Sequence, residues 1–227
     1  MKRAADAKIA HYFAGMPIRL HFKSDLHLAR KMFHVITGLL IVYFYLAGTS
    51  RGTAVLILGS ILGLDLLMEA SRLKNPSFNE KFMKYCGSIM RVHEMDRFSS
   101  VPYYAFSSLI AIGIFPKPIA ILAILYLSCG DPIASSAGIL YGHRGPRFSN
   151  GKTLIGTTAG VLACALMTFF YLKSLNISSD STVLVASVIG GLAGGLAELL
   201  PFEIDDNFTI PIISGFIVWL AFLILGI

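Results

Sequence analysis

The sequence predicts an all-α fold: a polytopic membrane bundle of about seven transmembrane helices, one of them discontinuous. Three observations carry that expectation. The chain is 55% hydrophobic and only 14% charged, too apolar for an ordinary soluble domain. Apolar runs near the roughly 20 residues that a helix needs to cross a bilayer use up most of its length. The basic residues gather in alternate connecting segments, as the positive-inside rule describes.

The runs fall at about residues 32–49, 52–69, 100–115, 118–140, 154–172, 183–200 and 209–227. Ahead of them, residues 1–29 form a basic segment of mixed polar and apolar residues, read as a cytoplasmic surface helix or tail; residues 30–227 form the membrane-embedded domain. The first 31 residues carry seven Lys or Arg and no apolar run of signal-peptide length, so the amino terminus is expected in the cytoplasm. On that orientation only Arg51, Lys117 and Lys173 of the 19 basic residues fall on the far side. Topology thus accounts for the net charge of +6 without a nucleic-acid partner. Cys86, Cys129 and Cys164 have neither a metal-ligand nor a paired spacing.

Closely spaced glycines, Gly59/Gly63, Gly156/Gly160 and Gly190 to Gly195, predict close helix approach within the membrane in preference to a ligand role, and a homo-oligomer stays open. The longest polar connection, about residues 72–99, places Phe78, Phe82, Tyr85 and Ile89 at helical spacing and reads as an interfacial helix or lid.

Ionisable groups at membrane depth are costly, so Asp65, Glu69, Asp131 and Glu198 each need a reason. Asp65 lies about a turn deeper than Glu69 and reads as paired with a neighbour. Gly130, Asp131 and Pro132 interrupt an apolar run. Asp131 as N-cap and Pro132 at the first helical position predict two half-helices meeting in the membrane, with free amides available to phosphate; the alternative is a capped kink. Beyond it, His143, Arg144, Arg147 and Lys152 surround a glycine-rich turn, either a polyphosphate cradle or a solvated basic loop. Gly151-Lys152-Thr153 is not a P-loop, because Pro146 occupies the required upstream glycine position. Glu198, Glu203, Asp205, Asp206 and Asn207 supply hard oxygen ligands suited to Mg²⁺, or else a solvated acidic turn. Carboxylates, cations and amides on one face are the parts that phosphoryl transfer uses.

Together these residues resemble the family of CTP-dependent membrane lipid kinases that includes dolichol kinase, phytol kinase and the yeast-type diacylglycerol kinase. ARKMFHVITGLL contributes Arg30, Lys31 and His34, followed by Glu69 and Arg72. MRVHEMDRFSSVPYYAF contributes Arg91, Glu94, Arg97 and Tyr104. GDPIASSAGILYG with GKTLIGTTAG is similar to the family's glycine-rich core, and AELLPFEIDDNFTIP to its acidic motif. The resemblance implies a membrane-embedded catalytic domain over residues 30–227. Its phosphoryl donor would be CTP with Mg²⁺, and its acceptor a lipid alcohol in the bilayer. It implies a CTP-binding role at Asp131, Gly138, Gly142, Lys152 and Gly156, to which the break and the basic turn add Gly130, Arg144, Arg147 and Gly151 as candidate nucleotide contacts. Metal ligands would come from Asp131, Asp205, Asp206 and Glu198. Asp131, Lys152, His34 and Glu69 are the candidate catalytic groups, His34 and Glu69 having salt bridges to Arg30 or Arg72 as their alternative. The membrane would be the plasma membrane in a prokaryote, or the endoplasmic reticulum or a plastid membrane in a eukaryote. The competing readings are a phosphatidate cytidylyltransferase, which has a similar core but a carboxyl-terminal signature not visible here, and a small transporter.

Overall fold

A computed structural model describes residues 26–177, 179–199 and 204–227. The expected amino-terminal segment therefore lies largely outside the described residues, as does Glu203. Nine α-helices occur among the described residues: α1 (Leu28–Leu46), α2 (Arg51–Lys74), α3 (Pro76–Cys86), α4 (Val101–Ile114), α5 (Lys117–Leu125), α6 (Asp131–Tyr141), α7 (Leu154–Ser174), α8 (Asp180–Ala197) and α9 (Asp206–Leu225). The only strand-like pairing among them is a single bridge between Arg147 and Thr153. A π-helical turn at Tyr126–Gly130 joins α5 to α6, so residues 117–144 act as one 28-residue span. Six helices are long and apolar enough to cross a membrane, and α4 is a shorter apolar seventh. The protein is a polytopic membrane helix bundle.

Local chemistry sets the helix ends. Ser50, Asn75, Thr153, Ser179 and Asp205 each accept a backbone N–H of the first turn that follows, satisfying a donor that the helix cannot. Loops therefore break where the polar caps occur, and the seven spans fall within a few residues of the hydropathy reading. The outer faces carry exposed Leu56, Phe170, Leu223 and Ile224, apolar surface that a bilayer covers and water does not.

The α5–α6 span is the central element, with Ile119 to Ile124 almost fully buried; α1, α4, α7 and α9 pack around it. Close approach depends on small residues. At Gly38 of α1 a Cβ would overlap Ser128 and the Tyr104 hydroxyl; at Gly160 it would meet Ala134 at 2.9 Å, and at Gly191 the Val161 carbonyl at 2.7 Å. The expectation of close packing at Gly59 and Gly63 is not met within the chain, because both open onto space on the outer face of α2.

The expected discontinuity takes the form of a π-turn rather than two half-helices. Pro132 has no N–H and its ring crowds the carbonyl four residues back, which disfavours a regular α-turn. The chain widens instead: Asp131 N–H bonds the Tyr126 carbonyl, five residues back, and the Ser128 hydroxyl donates to Ile124 O at 2.7 Å. Hydrogen bonding thus runs on through the junction, and the free amides expected there are absent.

The interfacial segment is helical as α3, but its buried side differs from the sequence reading. Phe82 and Ile89 pack against Met83, Met90 and Met95, whereas Tyr85 is 81% exposed. Asp65 makes no hydrogen bond or ion pair among the described residues; Glu69 takes Arg72 as its partner instead.

The chain order defines two ends of the bundle. One receives the start of α1, the end of α2, the start of α4, the end of α6, the start of α7, the end of α8 and the start of α9. The opposite end holds Arg51, Lys117 and Lys173: Arg51 donates to Phe115 O at 2.8 Å, Lys117 lies over the Tyr45 ring, and Lys173 pairs with Asp180. Every other described Lys and Arg belongs to the first end or its loops.

Candidate active site

At that first end a cavity of about 660 Å³ opens between the helices. Its wall is assembled from five stretches of chain: α1 through Arg30, Lys31 and His34; the loop before α4 through Arg91; α6 through Asp131, Ser135 and Gly138; the hairpin loop before α7 through Arg147, Gly151 and Lys152; and the junction of α8 with α9 through Glu198, Asp205 and Asp206.

The Lys152 hairpin is built by its own backbone. Phe148 N–H bonds Lys152 O at 2.8 Å, Gly151 N–H bonds Phe148 O at 2.9 Å, and Leu154 N–H bonds Pro146 O at 3.0 Å. Gly151 sits at φ +83°, a left-handed conformation that glycine adopts without strain. The turn directs Lys152 back into the cavity, where Nζ donates to Glu198 Oε2 at 3.1 Å and to Asp206 Oδ2 at 2.9 Å. Thr157 holds the other oxygen of Glu198 at 3.3 Å. Burial alone would lower the Lys152 pKa, but Glu198, Asp206 and Asp131 outweigh it and raise it above its ordinary value. The ammonium stays charged.

Asp131 also lines the cavity, and its carboxylate makes no hydrogen bond among the described residues. Asp205 accepts from the Asn207 amide at 2.9 Å and from its side chain at 2.7 Å; burial raises its pKa although Asn207, Arg30 and Arg91 act against it. Among the described residues no three acidic, His or Cys side chains stand close enough to hold a metal ion alone. Asp131, Asp205 and Asp206 are wall carboxylates of the kind of which a hard cation takes one or two, completing its shell with phosphate and water.

Two buried carboxylate knots support the loop at residues 87–100. Glu94 receives Arg30 Nη1 on both oxygens at 2.9 Å and the Arg91 amide at 2.8 Å, and Arg30 also bonds Ser100. Glu69 receives Arg72 at 2.6 and 2.9 Å and both donors of Ser99, while Arg72 reaches Arg97 O at 2.6 Å. Glu69 is therefore fully engaged away from the cavity, in the salt bridge named as its alternative. His34 lies on the cavity wall and does not pair with Arg30; its ring meets Tyr104 edge-on at 4.9 Å, and the Tyr104 hydroxyl bonds its carbonyl.

The remaining expected contacts divide. Gly138 and Gly156 are on the wall, but they also pack α6 against α7, and a Cβ at Gly156 would meet Ala134 O at 2.8 Å. Gly142 packs on Thr153 and Gly130 on Cys164, both off the wall. Arg144 stacks over Tyr141 and does not line the cavity. The Gly151 and Gly156 amides are already donated, to Phe148 O and Thr153 Oγ1. Among the wall residues not singled out as site residues in the sequence are Lys31, whose ammonium bonds Ser136 Oγ at 2.9 Å, Arg91 and Asn150. For Lys31 the readable signal is its place one residue after Arg30 and three before His34 on one helix.

No family model and no solved structure matches the chain. It is 31% identical over 205 residues to CTP-dependent diacylglycerol kinase 1 of Eremothecium gossypii, covering 82% of this chain and 64% of that protein. To the Saccharomyces cerevisiae protein of the same name it is 26% identical over 203 residues, covering 82% and 70%. To the chloroplastic farnesol kinase of Arabidopsis thaliana it is 25% identical over 207 residues, covering 87% and 66%. The chain thus spans about two thirds of the length of these relatives. Its homologues are CTP-dependent diacylglycerol kinases and phytol and farnesol kinases, matching the CTP-dependent membrane lipid kinase family that its motifs resemble.

Proposed function

We propose that this protein is a membrane lipid kinase that transfers the γ-phosphoryl group of CTP to the hydroxyl of a lipid alcohol: diacylglycerol, or a phytol-like or polyprenol alcohol. The observation that carries the reading is that one cavity collects Asp131, Lys152, Asp205 and Asp206 from separate segments at the basic end of the bundle. The names of the relatives support the donor and the acceptor class.

Phosphoryl transfer asks a protein chiefly for positioning and charge neutralisation. Lys152 supplies the permanent cation on the hairpin wall, held in place by Glu198 and Asp206, and Arg147 adds a second charge beside it. Asp131 and Asp205 would hold Mg²⁺, which neutralises phosphate oxygens when bound. His34 faces the cavity from α1 and accepts the proton of the lipid hydroxyl. Glu69 serves the fold through Arg72. The lipid enters laterally between the spans, so only its head group needs to leave the apolar phase. By the positive-inside rule the cavity and the amino terminus face the cytoplasm.

The test uses purified protein in lipid nanodiscs with Mg²⁺ and CTP labelled at either the γ or the α phosphorus, offered lipid alcohols and phosphatidic acid. Gamma label entering a lipid alcohol supports the kinase. Alpha label entering phosphatidic acid would make it a cytidylyltransferase instead. A transporter would transfer neither label; its site is expected near the midplane, whereas this cavity lies at one end.

A further inference from the structure

The cations on the cavity wall are not equivalent. Lys152 is shared between Glu198 and Asp206, Arg30 is consumed by Glu94 and Ser100, Lys31 bonds Ser136, and Arg147 reaches Gly151 O at 3.3 Å. Arg91 differs. Its guanidinium makes no hydrogen bond or ion pair among the described residues, and its Nε is shielded from solvent without a partner. Its backbone is fixed, because Glu94 accepts the Arg91 amide while binding Arg30 with both oxygens. Glu94 takes Arg30 in direct contact, whereas Arg91 has Glu94, Asp205 and Asp131 near it but none of them in hydrogen-bond contact with its guanidinium.

A half-buried guanidinium whose donors find no acceptor at hydrogen-bond distance keeps them available for an anion that enters the cavity. A guanidinium presents planar donors matched to phosphate oxygens. Arg91 reaches the cavity from the loop before α4, and Lys152 from the hairpin before α7. A polyphosphate held by Lys152 would therefore meet Arg91 on a different wall.

We propose that Arg91 forms the subsite for the terminal phosphoryl group of the bound nucleoside triphosphate. This rests on the kinase reading above and extends it: Lys152 holds the inner part of the polyphosphate, and Arg91 holds the group that is transferred. As that group moves from nucleotide to lipid oxygen, one P–O bond breaks and one forms, and the hydroxyl proton leaves to His34. Arg91 stays charged throughout and keeps its contact.

The experiment compares CTP with CDP, which differ by the terminal phosphoryl alone. Dissociation constants for both are measured with Mg²⁺ on wild type, Arg91→Ala and Arg91→Gln in nanodiscs, alongside γ-phosphoryl transfer. The expected result is a loss of CTP affinity of roughly 10- to 100-fold, the size of a charge-assisted contact, with CDP affinity unchanged and transfer reduced. Equal weakening of CTP and CDP, or no change in either, would overturn the assignment. Arg91→Gln keeps the three-carbon stem and a neutral polar end, so the same readings apply if Arg91→Ala fails to fold. Failure of the kinase reading is separately visible, as absence of label transfer by wild type while the ratio of the two constants still reports the subsite.

Discussion

The Lys152 ammonium donates to the Asp206 carboxylate at 2.9 Å, joining positions 54 residues apart in sequence. With Glu198 on its other side, this contact ties the hairpin before α7 to the α8–α9 junction. The cation is thereby placed without being buried in apolar surroundings. Lys152→Ala is expected to reduce phosphoryl transfer by about 10²–10³-fold, the usual effect of removing one group that stabilises transition-state charge. The protein should remain folded in detergent. Initial rates with γ-labelled CTP, together with the elution profile on size exclusion, check both parts.

The same contact gives a pH expectation. The pKa of Lys152 is raised, so the stability that its charge contributes is fully present below its unfolded value of about 10.4 and is lost only above it. Lys152→Arg should accordingly change the rate level but not the shape of the pH–rate profile between about pH 6 and 9. A limb that vanishes in Lys152→Arg would mean that Lys152 itself titrates there.

Glu69 and Arg72 are a structural pair. Arg72 is fully buried, and its removal leaves the Glu69 carboxylate buried with Ser99 alone. Arg72→Ala should destabilise by about 3–5 kcal/mol, seen as a lower melting temperature. The folded fraction should keep its KM for CTP. A loss of kcat with unchanged melting temperature would return Glu69 and Arg72 to the chemistry.

Gly38 decides how closely α1 crosses the π-turn. Gly38→Leu would drive a side chain into Ser128 and the Tyr104 hydroxyl, and overpacking of this kind costs about 1–3 kcal/mol. Because Arg30, Lys31 and His34 ride on the same helix, transfer should fall as well. Gly59→Leu, placed where nothing lies within 4 Å, is the matched control and should affect neither within the monomer.

Much of the architecture was legible because hydropathy acts locally. The runs mark the spans, whereas the one cap read from the sequence, Asp131, makes no capping hydrogen bond and lies in a helix that runs on through the π-turn. The π-turn was not legible as such: Gly130-Asp131-Pro132 announces a disturbance, and whether the chain breaks or widens depends on the packing of α1 and α7 around it. At the site, Asp131, Lys152, Asp205, Asp206 and His34 were named from the sequence and share one cavity. The Arg30–Glu94 pair spans 64 residues, and no local pattern announces it; without it, Arg91 reads as part of the loop motif and not as a cavity residue. Arg144 and Arg147 are alike in sequence, and only the turn of the hairpin separates the one on the wall from the one stacked on Tyr141.

Asp131, placed at the π-turn without a hydrogen-bond partner among the described residues, is the carboxylate on which the proposed transfer depends most. The most direct test is the initial rate of γ-phosphoryl transfer to diacylglycerol by Asp131→Asn against wild type, at saturating CTP and Mg²⁺, with melting temperatures measured in parallel. The expected rate is lower by at least about 10²-fold at an unchanged melting temperature, since the half-buried Asp131 carboxylate makes no hydrogen bond among the described residues that the change would break. A wild-type rate in Asp131→Asn would contradict that dependence.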